Sequence, residues 1–221
     1  FTLALGPRRL SSIALPSAGH QPMSNRTNGI WVTYNGEIYN FKQLRLELEN
    51  KGHIFFSQSD TEVLLHLYEE YGEDAVNLLN GIFAFALGDG KKNKLILVRD
   101  RYGAKPLYYT IKDQIFSFAS EVKALLQVDG VNSKLNYRAL CDYFTFQNTY
   151  GDVTLFDGIK LLEPGHYLVI NGDQIRKQQY WDFCFEDEDG RSESFYINHL
   201  KELFGNVIER QFISDVPVGS Y

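Results

Sequence analysis

Tyr34-Asn35-Gly36-Glu37-Ile38-Tyr39-Asn40 is the stretch that sets how the surrounding chain is read. Ahead of it, Ile30-Trp31-Val32-Thr33-Tyr34 is β-branched and aromatic, the composition of a buried strand. Behind it, Asn40 and Gln43 stand three apart in a capping-box arrangement that opens a helical pattern. Asn35-Gly36 therefore falls at a strand end. There a side-chain amide, a backbone N–H with no Cβ in front of it and the Glu37 carboxylate face one small space. A type I′ hairpin turn is the competing reading of Asn-Gly. The helix that follows, in place of a returning strand, weighs against it.

Working outward, Phe41, Leu44 and Leu48 mark one helix face, which Gly52 ends. His53 to Ser57 reads as a short strand. Ser59 and Glu62 form a second capping box, opening a helix with Val63, Leu64, Leu67, Tyr68 and Tyr71 on one face and Gly72 at its end. Asp60 lies at the mouth of that helix, where the dipole favours a carboxylate. Upstream, Phe1 to Leu15 is strand material broken at Gly6-Pro7, and a Pro-, Ser-, Gly- and Asn-rich loop runs to Asn28. Downstream come two hairpins, Ile82–Leu87 with Leu95–Asp100 and Pro106–Ile111 with Ile115–Ala119. Phe83-Ala84-Phe85-Ala86 is apolar on both faces, so the sheet is covered on both sides. Helices at Ser120–Gln127 and Tyr137–Phe146 follow, then a hairpin from Tyr167–Ile170 through Asn171-Gly172 to Gln174–Trp181.

The composition bounds the function. The chain has 221 residues, 44% hydrophobic and 14% aromatic, enough for one substantial core and a small extra piece. A formal charge of −6 argues against a nucleic-acid surface, and no apolar run approaches the ~20 residues that span a membrane. Cys141 and Cys184 are isolated, without metal-ligand spacing, and read as core or filler residues in a reducing cytoplasm. Residues 1–182 form the main domain, an acidic linker covers 183–194, and 195–221 begin a second domain. There Leu200, Phe204, Val207, Ile208 and Phe212 make a helix stripe, and Val216 starts a strand. The apolar start at Phe1 and the abrupt end at Tyr221 read as a fragment truncated at both ends.

Arg9, Asn35, Gly36, Glu37 and Asp60 make up the candidate constellation. An Arg fork matches a carboxylate and acidic side chains match an ammonium, so together they suit the head of a free amino acid. An Asn amide beside a Gly N–H suits the oxyanion formed when an amide carbonyl is attacked. The combination suggests hydrolysis of a side-chain amide. The plainer readings, Arg9 as a surface ion-pair residue and Asp60 as a helix cap, stand beside it. His20, His53, His66 and His166 are scattered, none at metal spacing to another, and read as structural or surface residues. Arg99-Asp100-Arg101 reads as a buried or half-buried ion-pair turn, and the many Tyr and Phe residues as core packing between sheets.

A series of blocks then narrows the choice. Arg9-Leu10-Ser11, Gly19-His20-Gln21-Pro22-Met23, Asn35 to Asn40, Ser59-Asp60-Thr61-Glu62-Val63, Phe83-Ala84-Phe85-Ala86, Arg99 to Tyr109, Ala119 to Leu125, Pro164-Gly165-His166 and Ser214 to Gly219 occur in order. The series resembles the glutamine-hydrolysing asparagine synthetases almost end to end. The resemblance implies an α+β N-terminal nucleophile hydrolase fold, a four-layer αββα sandwich. After it come the first helix and strand of an α/β ATP-pyrophosphatase-type synthetase domain. It implies that Arg9 pairs with the α-carboxylate of L-glutamine, helped by Leu10, Ser11, Ser12 and Ile13. Glu37 and Asp60 take the α-ammonium, and Asn35 and Gly36 form the oxyanion hole. It further implies a cytoplasmic, homodimeric ligase that amidates L-aspartate with ATP and Mg²⁺ bound beyond Tyr221. The family's nucleophile is an N-terminal cysteine, whereas residue 1 is Phe, so the fragment alone is expected to be inactive. Pro7, Ser12 and Ala14 also depart from the family's pattern of His, an aliphatic residue and Asp. Two alternatives stay open: the same glutaminase serving a sugar or polysaccharide precursor, and a degenerate domain kept for binding or regulation.

Overall fold

A computed structural model describes residues 2–6, 20–185 and 190–212 of the chain. Its spine is a six-stranded antiparallel sheet in the order β1-β2-β3-β4-β8-β9. The strands are β1 (Met23–Ser24), β2 (Ile30–Ile38), β3 (Gly81–Asp89), β4 (Lys94–Arg99), β8 (His166–Asn171) and β9 (Gln174–Gln179). A second sheet has three strands in the order β6-β5-β7, from β5 (Tyr108–Lys112), β6 (Ile115–Ala119) and β7 (Ile159–Leu161). The two downstream hairpins thus form as expected, one in each sheet. Helices α1 (Phe41–Asn50) and α2 (Asp60–Tyr71) join β2 to β3, α2 continuing into a 3₁₀ turn over Gly72–Leu78. Further on lie α3 (Val122–Leu125), which packs on β5 and β6, then α4 (Tyr137–Phe146) and α5 (Glu193–Gln211).

Two apolar layers hold this together. Strand alternation sends Val32, Tyr34, Phe83, Phe85, Ile96 and Val98 to one face of the large sheet, against Leu44, Leu48, Val63, Leu64 and Leu67 of α1 and α2. Ala84, Ala86, Leu95 and Leu97 point to the other face, against Leu107, Tyr109 and Leu162 beside the small sheet. The small alanines let the two sheets approach, and the expectation of a sheet covered on both sides holds. Not every aromatic serves this core: Tyr102, Phe144 and Phe185 are exposed.

Several local expectations are corrected. Asn35-Gly36 lies within β2, paired with Ala84 and Phe83, and neither ends the strand nor turns a hairpin. Asn40 does not cap α1 with its side chain; it donates to the Leu78 carbonyl at 2.9 Å and accepts from Asn80 N–H at 3.0 Å, while Gln43 reaches Glu47. Ser59 does cap α2 through Thr61 N–H, but Glu62 turns to Phe56 and Ser57. His53–Ser57 has no strand partner, and Glu62 fixes it by accepting both those backbone N–H groups and the Ser57 hydroxyl. The helix near 120–127 covers only Val122–Leu125, and β9 stops at Gln179. Residues 2–6 carry no strand; the rest of the Phe1–Leu15 segment, part of the acidic linker and the strand from Val216 lie outside the described residues. Cys141 and Cys184 are exposed rather than core.

Candidate active site

The site is built on the outer half of β2. Strand β1 pairs only with Trp31 and Val32, which leaves the later part of that edge to side chains. Tyr34 N–H donates to Gln21 Oε1 at 2.7 Å, and Ile38 N–H donates to Asp60 Oδ2 at 3.3 Å. Gly36 stands midway between them. Its partner on β3, Phe83, turns both its backbone groups the other way: Phe83 N–H donates to Asp100 Oδ2 at 3.2 Å, and Phe83 O accepts from Asp100 N–H at 2.8 Å. Gly36 and Phe83 therefore face each other as a non-hydrogen-bonded pair, the closer kind. By strand alternation the Gly36 N–H points to the same outer edge as those of Tyr34 and Ile38.

That closeness demands glycine. Gly36 has φ +151°, and a Cβ there would run into the Ile82 carbonyl oxygen and the Phe83 Cα. Two residues along β3, where Gly81 pairs with Ile38, a Cβ on Gly81 would run into the Glu37 carbonyl oxygen. The two glycines let β2 and β3 close tightly where the candidate residues stand.

Asp60 begins α2 fully buried, and its Oδ2 accepts the Tyr34 hydroxyl at 2.7 Å as well as Ile38 N–H. A buried carboxylate needs such donors, and the first turn of a helix adds favourable dipole. Asp60 thereby clamps the residues on either side of Asn35-Gly36-Glu37. Asn35, one residue on from Tyr34, faces the opposite side of the sheet and is exposed. It lines a cleft of ≈ 650 Å³ with Thr33, Ala84 and Ala86; β6 and α3 form the far wall through Phe118 and Lys123. Glu37 is half-buried, and its carboxylate lies close enough to act on Tyr39. The Tyr39 hydroxyl is pushed up first by burial, then by the charges of Glu37 and Asp100.

Asn35, Gly36, Glu37 and Asp60 thus come together around one strand, although Asn35 and Asp60 serve opposite faces of it. Arg9 and its neighbours Leu10, Ser11, Ser12 and Ile13 lie outside the described residues. Two site-building residues went unassigned from the residues alone. Gln21 is buried, and besides Tyr34 N–H it contacts Thr61 Oγ1 through Nε2 at 3.4 Å. The signal for it was its place in the Gly19–Met23 block. Tyr34 carried no signal beyond its hydrophobic position.

Asp100 and Arg99 support the site from behind, and not as the ion pair expected. Asp100 gives its two oxygens to four backbone N–H groups, those of Phe83, Tyr102, Ala104 and Lys105, at 3.0–3.2 Å. The Arg99 guanidinium donates to the carbonyls of Lys105, Leu162 and Gly103 at 2.6–2.8 Å. Burial lowers the Arg99 pKa, with the Asp100 charge opposing. Each buried charge is thus satisfied by backbone, which freezes the turn linking the two sheets.

Histidines expected to stand apart do not. His53 and His66 meet with their Nδ1 atoms 3.1 Å apart.

With the geometry in place, comparison with known proteins is informative. Relatives include asparagine synthetase [glutamine-hydrolyzing] 3 of Bacillus subtilis, 39% identical over 98% of this chain and 35% of its own length. The nodule asparagine synthetase [glutamine-hydrolyzing] of Pisum sativum is 45% identical over 97% of this chain and 32% of its own. Amidase chry2 of Gibberella zeae is 34% identical over 99% and 32%. The chain therefore spans about a third of the length of these relatives. Among solved structures, glutamine phosphoribosylpyrophosphate amidotransferase from B. subtilis, complexed with ADP and GMP, matches with a TM-score of 0.53. It is 26% identical over 76% of this chain and 33% of that one. The paired sheets and flanking helices are thus of the N-terminal nucleophile amidotransferase type. No helix among the described residues is long and apolar enough to cross a membrane. A family model described as glutamine amidotransferase domain matches residues 2–181, and the chain belongs to that family.

Proposed function

We propose that the chain is the glutaminase portion of an ATP-dependent, glutamine-hydrolysing asparagine synthetase. The observation that carries this reading is the tight Gly36–Phe83 approach, which aims a backbone N–H outward while the adjacent Asn35 amide faces the cleft. Attack on the carboxamide carbon of glutamine puts negative charge on its oxygen, and two preset dipoles stabilise that charge without reorganising. In this reading Asn35 Nδ2 and Gly36 N–H are the donors. Glu37 and Asp60 hold the α-ammonium, and Arg9, helped by Leu10 to Ile13, takes the α-carboxylate. The nucleophilic thiol comes from neither Cys141 nor Cys184: both are exposed, and neither lines the cleft.

Helix α5 is, on this proposal, the first helix of the synthetase domain. Its apolar stripe, Leu200, Phe204, Val207 and Ile208, with Phe212 just past its end, is exposed along its length. ATP and Mg²⁺ belong to the second half-reaction, in which ammonia is joined to L-aspartate. The described residues hold no strand running through a glycine-rich loop into a helix, so no phosphate contact is assigned to them.

A second reading has one observation in its favour: relatives of equal coverage include an amidase, and the matched structure is a phosphoribosylpyrophosphate amidotransferase. The same glutaminase would then feed another ammonia acceptor. The full-length enzyme supplied with glutamine, ATP and aspartate should yield asparagine, glutamate and AMP. Glutamate released without asparagine would favour the second reading. Asn35→Ala should lower the glutamine-dependent rate by about 10²–10³-fold while ammonia-dependent synthesis continues; equal loss of both would make Asn35 structural.

A further inference from the structure

The segment between α1 and α2 brings together groups that the amidotransferase reading leaves unused. His53 Nδ1 and His66 Nδ1 are 3.1 Å apart. Glu69 Oε2 lies 2.9 Å from His66 Nδ1 and 3.8 Å from His53 Nδ1. Three ligand atoms around a tetrahedral Zn²⁺, with Zn–N and Zn–O near 2.0–2.1 Å, stand about 3.3 Å from one another. The three separations here bracket that value.

The outer atoms of the same side chains face carboxylates as well. His66 Nε2 faces Glu62 Oε1 at 3.5 Å, and His53 Nε2 faces Glu70 Oε2 at 3.3 Å. His66 Nδ1 also faces a carboxylate, that of Glu69 at 2.9 Å, so the two Nδ1 atoms ligate where an ion displaces the proton held between these groups. With that proton displaced, two lone pairs and a carboxylate oxygen converge on one point that a divalent ion can fill. Glu69 is itself held from behind, with Asn25 Nδ2 donating to its Oε1 at 2.8 Å. A carboxylate bonded behind His53, another 3.5 Å behind His66 and an amide behind the ligating carboxylate are the kind of supporting groups that orient metal ligands.

The site is also reachable. The His53 and Glu69 side chains are 17% and 29% exposed, while His66 is nearly buried at 8%. An ion can enter from solvent and keep a water as fourth ligand. Two nitrogens and one carboxylate oxygen suit a divalent transition metal of the zinc class and disfavour Mg²⁺.

We propose that His53, His66 and Glu69 form a binding site for a divalent transition-metal ion, Zn²⁺ or a close analogue, which clamps the 53–57 segment onto α2. His66 and Glu69 stand three apart on one face of α2, and Glu62 already ties Phe56 and Ser57 to the same helix. The ion would complete that attachment, about two turns along α2 from Asp60.

The test uses full-length protein without a histidine tag, dialysed against chelator, then titrated with Zn²⁺ by calorimetry and with Co²⁺ by visible absorption. The expected result is one ion per chain, a tetrahedral Co²⁺ band and a raised melting temperature that chelator reverses. His66→Gln tests the buried ligand but risks the fold, so His53→Gln and Glu69→Gln carry the test: each should abolish the Co²⁺ band with the metal-free circular dichroism unchanged. Glu70→Gln should weaken binding by about tenfold, and His199→Gln, on α5, should change nothing. No stoichiometric binding would overturn the proposal and leave a shared proton as the occupant. Binding that survives both His53→Gln and Glu69→Gln would overturn it equally.

Discussion

Asn35 and Gly36 are neighbours with opposite liabilities, and this separates what the fold needs from what the chemistry needs. Gly36→Ala puts a methyl group against the Ile82 carbonyl and Phe83 Cα in a backbone conformation that side chains rarely adopt. It should destabilise the chain by about 2–4 kcal/mol, read as a lower urea midpoint with unchanged slope. Asn35→Ala removes an exposed amide that no core contact uses, so the same measurement should shift by less than about 0.5 kcal/mol. Equal destabilisation by the two would mean that the Asn35 amide supports the strand rather than the cleft. Asp60 stands between these cases. It is a buried carboxylate bonded to Tyr34 and Ile38, so its removal damages both fold and site, and activity loss in Asp60→Ala would be ambiguous.

Among the elements, the turn after β4 is the one that substitution should break most cleanly. Asp100→Ala leaves the backbone N–H groups of Phe83, Tyr102, Ala104 and Lys105 without their acceptor, that of Phe83 in a buried setting and the others in part-buried ones. Loss of about 3 kcal/mol or more is expected from chemical denaturation. Hydrogen exchange at Phe83 and Ala104 should accelerate far more than at Val63 on α2. The elements themselves are mostly legible, because apolar spacing separates strand from helix: β3, β4, β6, α4 and α5 follow the sequence pattern closely, although α5 buries none of its residues. What periodicity does not encode is long-range polar satisfaction. The Asn40 bonds to residues 78 and 80, the Asp100 bonds to β3 and the Glu62 bonds to 56 and 57 all redirect side chains that local pattern would have assigned to caps or ion pairs. The 53–57 segment was misread as a strand for that reason: its backbone partners are a carboxylate on α2, not another strand. The meeting of His53 with His66 was equally invisible, since thirteen residues and a helix cap separate them in sequence.

At the scale of the whole molecule, charge joins the helical layer to both ends of the large sheet's second half. Glu73, in the turn after α2, pairs with Lys94 at the start of β4 at 2.8 Å and with Arg176 on β9. Burial alone would raise the Glu73 pKa, but hydrogen bonds and charge from Lys94 and Arg176 outweigh it and hold the group below the usual carboxylate range. A carboxylate whose folded pKa is depressed stabilises the fold fully above its unfolded pKa and loses that contribution as pH falls through the folded value. The pairs are half-exposed, so the contribution should stay below about 1 kcal/mol. Glu73→Gln should therefore lower the urea midpoint at pH 7, and the gap from the unsubstituted chain should narrow as pH falls through the ordinary glutamate range and close only below it, where Glu73 is protonated in the folded chain too. A gap that persisted unchanged at the acid end would show that Glu73 acts through packing or neutral hydrogen bonds. The link between α2 and the β4–β9 side of the sheet would then owe nothing to its charge.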